Sequence, residues 1–402
     1  MDTVLFILSL CLKVFTLYFA AVALFALRRR RRYPRTEPRT KFAVVVAARN
    51  EEAVIGDLVH SVLAQDYPVA LRDVYVIPNN CTDFTEAAAV AAGARILPCT
   101  GPVSCKGDAL HQAFAQLLPE DYDAFVVFDA DNVLERDYLA RVNDAIAAGA
   151  AVLKTRTRAG NPTASGVAGC YGLYNTCFDL IWNRPRAACG LSARLVGSGF
   201  AVCREVLEEL GGWNTATITE DAEFAAQCAR IGRRIWWVPD AVNYDEEPNS
   251  FRLSLRQRKR WCSGVMQVGK RELGRLWTAD CPRPSLRWDI SMYLIAPFTQ
   301  AISGLLLLGG VACGLAEGDA VTAVAALCTL GLYYVGGVAL SVLLCLLGGY
   351  GLQGMTRTIL LFPLFMASWL PLQVVSLFKD TRQWHAVAHS GQRSAAAGCR
   401  LP

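Results

Sequence analysis

The sequence predicts an α/β domain with a parallel sheet, flanked by transmembrane and interfacial helices. Short Val- and Ala-rich runs (FAVVVAA, VYVI and AFVVFDA) alternate with helix-like segments such as Glu51 to Ala64 and Ala109 to Leu117. Strands separated by helices of that length are typical of parallel βαβ units. A hydrophobic content of 53% over 402 residues, with several long apolar runs, indicates membrane segments beside a domain with a large core.

The charge, the cysteines and the histidines exclude several classes of protein. Forty basic and 35 acidic residues give a net charge of +5, which is too small for a protein that coats a polyanion. The 15 cysteines include no CxxC pair and no Cys/His cluster, so the sequence indicates neither a zinc site nor a redox motif. The four histidines leave a long central region without one, so we expect a carboxylate as any catalytic base.

The N-terminal apolar run, Val4 to Leu27, has about the ~20 residues needed to cross a bilayer. Five arginines, Arg28 to Arg32, follow it directly. A secretory signal would carry its positive charge before the apolar run, so we predict a retained anchor over residues 1–28 and a basic linker over residues 29–40. The positive-inside rule then places the α/β domain, residues 41–250, in the cytoplasm.

Three further apolar stretches follow a basic segment at residues 251–286, where we expect interfacial helices. Within a membrane region at 287–378, the stretches cover roughly Ile290 to Ala316, Val321 to Leu347 and Ile359 to Phe378. If all three cross, the polar tail at 379–402 lies outside, although its Lys and Arg residues favour the inside. We therefore expect the third stretch, which prolines interrupt, to be re-entrant or interfacial, with a kinked span as the alternative.

Two carboxylates, Asp129 and Asp131, follow the run AFVVF directly. They lie at the carboxyl end of a predicted strand, where parallel sheets bind their ligands. Carboxylate oxygens are the ligands that Mg²⁺ or Mn²⁺ uses when it also binds a diphosphate. A solvated turn is the plainer interpretation of a lone DxD motif, so the metal site depends on support from the rest of the chain.

Polar loops also follow the first two predicted strands, at residues 47–52 (AARNEE) and 78–83 (PNNCTD). Neither loop contains the GxGxxG of a dinucleotide site or the GxxxxGK[ST] of a P-loop, which argues against NAD and ATP enzymes. Lys106 opens the helix before the DAD strand. A lysine in that place could reach a phosphate, or it could simply begin a surface helix.

A second acidic pair, Glu220 and Asp221, follows Thr219 at the head of a helical segment. An N-cap threonine with acidic residues in the first turn explains this pattern locally. A carboxylate in this place could also act as a general base, if the sheet brings it beside the metal site.

The stretch LRQRKRW, Leu255 to Trp261, concentrates four basic residues before a tryptophan. Such a run could bind nucleic acid, an anionic membrane surface or a diphosphate. The remaining chain shows neither a second basic patch nor interleaved aromatic residues, which argues against nucleic acid.

Taken in order, these motifs resemble the family 2 glycosyltransferases, in particular the membrane-integrated synthases of cellulose, chitin, hyaluronan and poly-N-acetylglucosamine. The motifs are VVVAARNEE, NNCTD, KGDAL, FDADN, GSGF, TED and QRKRW. The resemblance covers about Lys41 to Gly264 together with the membrane layout. It implies a Rossmann-like, nucleotide-sugar-binding domain of the GT-A type.

The resemblance implies a role for each candidate residue. The donor would contact Ala48, Glu51, Asn79, Lys106 and Asp129. The metal, Mg²⁺ or Mn²⁺, would be held by Asp129 and Asp131. The catalytic set would be Asp221 as the base, with Glu220, Gln257, Arg260 and Trp261. The acceptor would lie near Gly199, Phe200 and Trp213. The remaining basic residues of LRQRKRW, which are Arg256, Arg258 and Lys259, would face lipid headgroups or solvent.

The implied function is an inverting transferase that moves a sugar from UDP-N-acetylglucosamine or UDP-glucose to a growing β-linked polysaccharide at the inner membrane. The alternative is the transfer of a single sugar to a lipid acceptor, as ceramide glucosyltransferases do. A third reading, a scaffold subunit with little activity, conflicts with the complete set of acidic motifs and Arg260. The sequence does not identify partner subunits.

Asn79 departs from the family pattern, because relatives usually carry an aspartate there. An asparagine carbonyl can still accept a hydrogen bond from the uracil N–H, although without charge assistance. From the sequence alone we therefore expect Asn79→Asp to tighten UDP binding.

Overall fold

The computed structural model describes residues 2–28 and 32–381. An N-terminal helix, α1 (Asp2–Ala23), continues as a 3₁₀ helix over Leu24–Leu27. The expected anchor is therefore helical, while its crossing of a membrane stays a prediction. Part of the expected basic linker, residues 29–31, lies outside the described residues, as does the expected polar tail beyond residue 381.

Eight strands form one mixed sheet in the order β3-β2-β1-β4-β7-β6-β8-β5. Their bounds are β1 (Phe42–Ala48), β2 (Arg72–Pro78), β3 (Arg95–Ile96), β4 (Ala124–Phe128), β5 (Val133–Leu134), β6 (Val152–Ala159), β7 (Phe200–Cys203) and β8 (Ile235–Asp245). The predicted parallel units are confirmed for β1 to β4. The antiparallel insertion of β7 between β4 and β6 was not predicted, because its four residues carry no periodic signal.

Short helices connect the strands: α2 (Ile55–Leu63), α3 (Thr85–Ala91), α4 (Lys106–Leu117), α5 (Tyr138–Ala147), α6 (Gly166–Phe178), α7 (Arg184–Cys189), α8 (Arg204–Glu209) and α9 (Glu220–Arg230). A π-helical turn, Asp179–Asn183, joins α6 to α7. Helix α4 begins at Lys106 because the Asp108 carboxylate accepts hydrogen bonds from the Ser104 and Cys105 amides. The predicted helix at Glu51 begins four residues later than expected, at Ile55.

Strand β1 is buried on both faces, which explains why its sequence is continuously apolar rather than alternating. Val44 and Val46 belong to the apolar layer on one side of the sheet, and Ala43 and Val45 belong to the layer on the other. The parallel register aligns the carboxyl ends of β1, β2 and β4. The polar loops that follow these strands therefore meet at one edge of the sheet.

The C-terminal part is helical, with α10 (Phe251–Thr278), α11 (Pro284–Ala316), α12 (Ala320–Gly348), α13 (Thr356–Ala367) and α14 (Trp369–Phe378). In the described part of the chain, three helical segments are long and apolar enough to cross a membrane: Pro284–Ala316, Ala320–Gly348 and Gln353–Phe378. Most apolar side chains of α12 are exposed, as expected for a segment that contacts lipid, whereas most of those in the third segment are buried or half-buried. The expected interfacial helices over 251–286 are mainly one long helix, α10.

The third apolar segment is broken at Ser368, between α13 and α14. Near its start, the Thr358 hydroxyl donates to the Gly166 carbonyl of α6 at 3.3 Å. Beyond its end, the Thr381 amide donates to the Ser263 hydroxyl of α10 at 2.7 Å. One end is thus bonded to α6 of the α/β half and the other to α10, while the expected re-entrant path of this segment stays a prediction.

A buried ion pair connects the α/β half to the apolar helices α1 and α11. The Arg186 guanidinium on α7 contacts the Asp289 carboxylate on α11 at 2.9 Å. The Tyr18 hydroxyl of α1 donates to the same carboxylate at 2.7 Å. The Trp182 ring lies 3.5 Å from the Arg186 guanidinium carbon. Because the charges are paired and hydrogen-bonded, they tolerate burial and fix the relative position of three helices.

Candidate active site

A deep cleft opens at the edge of the sheet where β1, β2 and β4 end. It is lined by the loops after these strands, by α6, by the start of α9 and by α10. Its charged and polar lining includes Arg49, Glu51, Asn79, Lys106, Asp129, Asp131, Lys154, Asn175, Asp179, Arg194, Glu220, Asp221, Asp245, Glu246, Glu247, Gln257 and Arg260. The structure therefore brings together most of the residues that the sequence singles out.

The DAD motif lies at the centre of this cleft. The Asp129 carboxylate contacts the Lys106 ammonium at 2.5 Å, and the same ammonium also bonds the Gly197 carbonyl. Asp131 is almost fully buried beside Asn132, whose side-chain amide donates to it at 3.1 Å. The Lys106 side chain thus lies in the cleft. This position excludes the alternative that Lys106 simply begins a surface helix.

The cleft is rich in carboxyl groups: nine carboxyl and five basic side chains line it. Burial, together with repulsion from Asp131 and Asp129, raises the pKa of Glu51 to about 9. Burial lowers the pKa of Lys154 to about 8, although the neighbouring Asp245 opposes this change. A bound cation would stabilise the ionised form of these clustered carboxyl groups.

Asp129 and Asp131 fit a divalent metal that takes further ligands from its substrate. Among the described residues, no group of three or more His, Cys, Asp or Glu side chains is arranged to hold a metal alone. Mg²⁺ in such sites usually binds one or two carboxylates, and waters and substrate phosphates complete its coordination. Two aspartates in an acidic cleft match that donor set.

Asn79 lies at the end of β2 and is nearly buried. Its amide nitrogen donates to the Ala48 carbonyl at 3.0 Å and to the Ile77 carbonyl at 3.4 Å. The side-chain carbonyl oxygen is therefore the atom that can accept a hydrogen bond from a ligand. Ala48, expected at the donor, bonds Asn79 through its backbone carbonyl, while its side chain is buried in the core and Ala47 lines the cleft.

Glu220 and Asp221 begin α9 beside Lys106 and Gly197. Burial and repulsion from Asp221 raise the pKa of Glu220 to about 7, while Lys106 lowers it. Burial also raises the pKa of Asp221, and this shift is opposed by its bond from the Ala222 amide and by Arg194. Thr219 occupies the N-cap position but makes no capping bond with its side chain. The acidic pair therefore faces the cleft instead of serving only as a helix cap.

Helix α10 contributes Gln257, Arg260 and Trp261 to the cleft. Gln257 accepts a hydrogen bond from the Tyr171 hydroxyl of α6 at 2.8 Å. Trp261 stacks on Trp369 at 6.3 Å between ring centroids. The expected position of Arg258 at headgroups or solvent is wrong, because its side chain is 0% exposed and packs between α10 and the break at Ser368.

Three residues expected near the acceptor are part of the core. Trp213 is fully buried and stacks on Phe224, with 4.2 Å between the ring centroids. Phe200 also stacks on Trp213, with 5.8 Å between the ring centroids. Gly199 adopts a φ of +62°, and a Cβ there would lie 2.5 Å from the Asn243 oxygen. Their neighbours Gly197 and Ser198 line the cleft instead.

Sequence reasoning missed several residues that line the cleft, notably Tyr171, Asn175, Arg194 and Glu247. Tyr171 and Asn175 are four residues apart on α6 and so share a face, which is a detectable signal in an otherwise apolar helix. Arg194 donates to the Tyr174 hydroxyl at 3.1 Å and has no motif around it. Only the tertiary structure places it near Asp221.

The mixed sheet, with a DxD motif at the carboxyl end of β4 and an acidic helix start facing it, defines the GT-A glycosyltransferase fold. Residues 38–264, more than half of the chain, match the family described as Glycosyltransferase like family 2. The chain belongs to this family.

Two curated relatives and one solved structure illustrate the similarity. The beta-monoglucosyldiacylglycerol synthase of Synechocystis sp. is 30% identical over 295 residues, which cover 68% of this chain and 58% of the relative. Cellulose synthase 2 of Novacetimonas hansenii is 25% identical over 240 residues, which cover 56% of this chain and 14% of the relative. The alignments thus span less than two thirds of these relatives' lengths.

The solved structure is that of the mannosyltransferase PcManGT from Pyrobaculum calidifontis in complex with GDP-Man and Mn²⁺. It superimposes with a TM-score of 0.65 over 92% of this chain and 98% of that chain. At 20% identity, this likeness shows a shared fold, and it extends beyond the α/β half into the C-terminal helices.

Proposed function

We propose that the protein is a membrane-bound, metal-dependent, inverting glycosyltransferase that moves one sugar from a UDP-sugar to the hydroxyl of a lipid. The observation that carries the proposal is the cleft itself. It places the Asp129 and Asp131 pair, the base candidate Asp221 and the α10 residues around one space. The donor is proposed to lie over Glu51 and Asn79.

The chemistry follows from the positions of these side chains. Asp221 accepts the proton of the acceptor hydroxyl while that oxygen attacks the anomeric carbon. The bond from the anomeric carbon to the diphosphate breaks, and the diphosphate leaves with the electron pair. Lys106 and Arg260 stabilise the negative charge that develops on it. Mg²⁺ or Mn²⁺ held by Asp129 and Asp131 would supply further positive charge when bound.

A single displacement of this kind inverts the configuration at the anomeric carbon. An α-linked donor therefore yields a β-glycoside. The proposal needs no covalent intermediate, because one base and one leaving-group site are sufficient.

A lipid acceptor is supported by the construction of the acceptor side. Its wall is α6, which also packs against α12 and α13, and α10, which also packs against α11 and α14. The exposed apolar side chains of α11 and α12, which pack against α10 and α6 respectively, give an apolar surface beside this wall. The named activity of the Synechocystis relative, on diacylglycerol, agrees with this choice.

The alternative acceptor is a growing β-linked polysaccharide, in line with the similarity to a cellulose synthase. The size of the product distinguishes the two acceptors.

We also propose that the protein is a multi-pass protein of the inner membrane with its catalytic cleft in the cytoplasm, which the arginines after the first apolar run support. Protease protection in right-side-out and inverted vesicles tests this orientation.

The full-length protein in nanodiscs containing diacylglycerol tests the function. Labelled UDP-glucose, UDP-N-acetylglucosamine, UDP-galactose and GDP-mannose are each supplied with Mn²⁺, and label is measured in the organic and the aqueous phase. We expect label from one UDP-sugar in a single glycolipid, and none with Asp221→Asn. Label in a large aqueous product would identify the polysaccharide alternative, and transfer from GDP-mannose alone would overturn the UDP assignment.

A further inference from the structure

Arg258 lies where α10 packs against the break between α13 and α14. Its Nη1 donates to the Phe365 carbonyl at 2.8 Å and to the Ser368 hydroxyl at 2.8 Å. Its Nε donates to the Ser254 hydroxyl on α10 at 3.1 Å. The guanidinium carbon lies 4.0 Å from the centroid of the Phe365 ring. One fully buried side chain therefore bonds both elements.

The break presents a carbonyl and a hydroxyl group that can accept hydrogen bonds from an arginine. Carbonyls in the last turn of a helix lack intrahelical partners and carry partial negative charge. Phe365 lies in the last turn of α13, and its carbonyl receives both the Arg258 and the Ser368 hydrogen bonds. Irregular backbone in an apolar segment is tolerated where protein groups bond it. Arg258 provides such a group from outside the segment.

The same contact reaches the acceptor side of the cleft. Trp261, one turn along α10, stacks on Trp369, the first residue of α14. The Tyr171 ring, whose hydroxyl bonds Gln257, packs edge-on against Phe365 at 5.2 Å. The residues at the break are therefore in contact with the side chains that form the acceptor wall.

We propose that Arg258 is a positioning residue: it holds α13 and α14 as a re-entrant element against α10 and thereby sets the places of Gln257 and Trp261 for the acceptor. The donor side of the cleft, built from the loops after β1, β2 and β4, does not depend on this contact. Loss of Arg258 then impairs acceptor recognition and leaves donor binding intact.

The kinetic experiment, which rests on the proposed function, compares Arg258→Met, Arg258→Lys and the control Arg256→Met in nanodiscs with UDP-glucose and diacylglycerol. Arg256 is exposed on the same helix. We expect Arg258→Met to raise the acceptor KM at least tenfold, with the donor KM and the Kd for UDP changed less than twofold. Arg258→Lys should recover part of the loss, since an ammonium can bond one of the two partners. A parallel rise in both KM values, or no change, overturns the proposal.

A second experiment is independent of activity. Hydrogen exchange of the backbone over residues 356–378 is measured by mass spectrometry for the same variants and for Ser368→Ala. We expect faster exchange in this segment for Arg258→Met, a smaller increase for Ser368→Ala and none for Arg256→Met. If the wild type transfers nothing to diacylglycerol but exchange behaves as expected, the proposed function fails and the docking role of Arg258 stands. Unchanged exchange in Arg258→Met and Ser368→Ala refutes that role.

Discussion

The Lys106 ammonium lies 2.5 Å from the Asp129 carboxylate, in the cleft and at the first position of α4. Lys106 is mostly buried, and burial alone would lower its pKa. The negative charges of Asp129 and Glu220 have the larger effect, so the pKa of Lys106 is raised. The lysine stays protonated in the cleft and is available to a diphosphate when Asp129 binds a metal. We therefore expect Lys106 to pair with Asp129 before the donor binds and with the leaving diphosphate afterwards.

Lys106→Met should therefore weaken UDP binding. A hydrogen bond to a charged group contributes about 2 kcal/mol, which corresponds to roughly a thirtyfold change in Kd. Calorimetric titration with UDP and Mn²⁺ measures it. Lys41→Met is the matched control, because Lys41 pairs with the fully exposed Asp121 away from the cleft. An unchanged Kd for Lys106→Met would contradict the assignment.

Asp221→Asn should abolish transfer while UDP binding persists, because the change removes a proton acceptor and keeps the shape of the side chain. The loss in turnover should be on the order of 10²-fold or more. Glu220→Gln is the informative comparison, since Glu220 is the neighbouring buried carboxylate. If Glu220→Gln loses the activity and Asp221→Asn keeps it, the base is Glu220.

Arg194→Leu should shift the acidic limb of the pH–rate profile to higher pH. Burial raises the pKa of Asp221 and Arg194 lowers it, so removing the guanidinium raises the pKa further. A base acts only when it is ionised, so activity is then lost at a higher pH on acidification. The profile of kcat/KM between pH 5 and 9 measures this, and Arg194→Lys should restore the limb. A shift of the acidic limb toward lower pH would contradict the electrostatic effect of Arg194 on Asp221.

Asn79→Asp should weaken UDP binding, which reverses the expectation from sequence. A carboxylate in this place would meet the Ala48 and Ile77 carbonyls, which now accept hydrogen bonds from the amide. Replacing two favourable contacts by repulsion costs about 1–3 kcal/mol. Calorimetry with UDP decides the matter, with Asn80→Asp in the exposed part of the same loop as control. Tighter binding would show that charge assistance to uracil outweighs this repulsion.

Removal of divalent metal should abolish activity. Two aspartates in a cleft rich in carboxyl groups repel a diphosphate unless a cation is bound. Activity should disappear in excess chelator and return with Mn²⁺ or Mg²⁺, and Asp131→Ala should lower both UDP affinity and turnover. Full activity in chelator would exclude Asp129 and Asp131 as metal ligands.

The sequence predicted the elements with strong local signals. The apolar strands, the start of α4 at Lys106 and the DAD motif at a sheet edge follow from periodicity and from the parallel-sheet rule. Sequence reasoning failed where tertiary contacts decide. Trp213 looks like a ligand-binding aromatic but fills the core, and Arg258 looks like a surface charge but is buried at a helix break. Neither outcome is encoded in the neighbouring residues.

The cluster shared by α6 and the C-terminal helices has a consequence for how the protein unfolds. Val167, Leu173 and their neighbours on α6 bury their side chains against Leu344, Phe362 and Phe365. A fragment limited to the family-matched residues would leave this apolar face to water, at a cost of about 25 cal/mol for each Å² exposed. We therefore expect the fragment to have a lower free energy of unfolding than the whole chain. Heat should melt the catalytic and membrane parts in one cooperative transition.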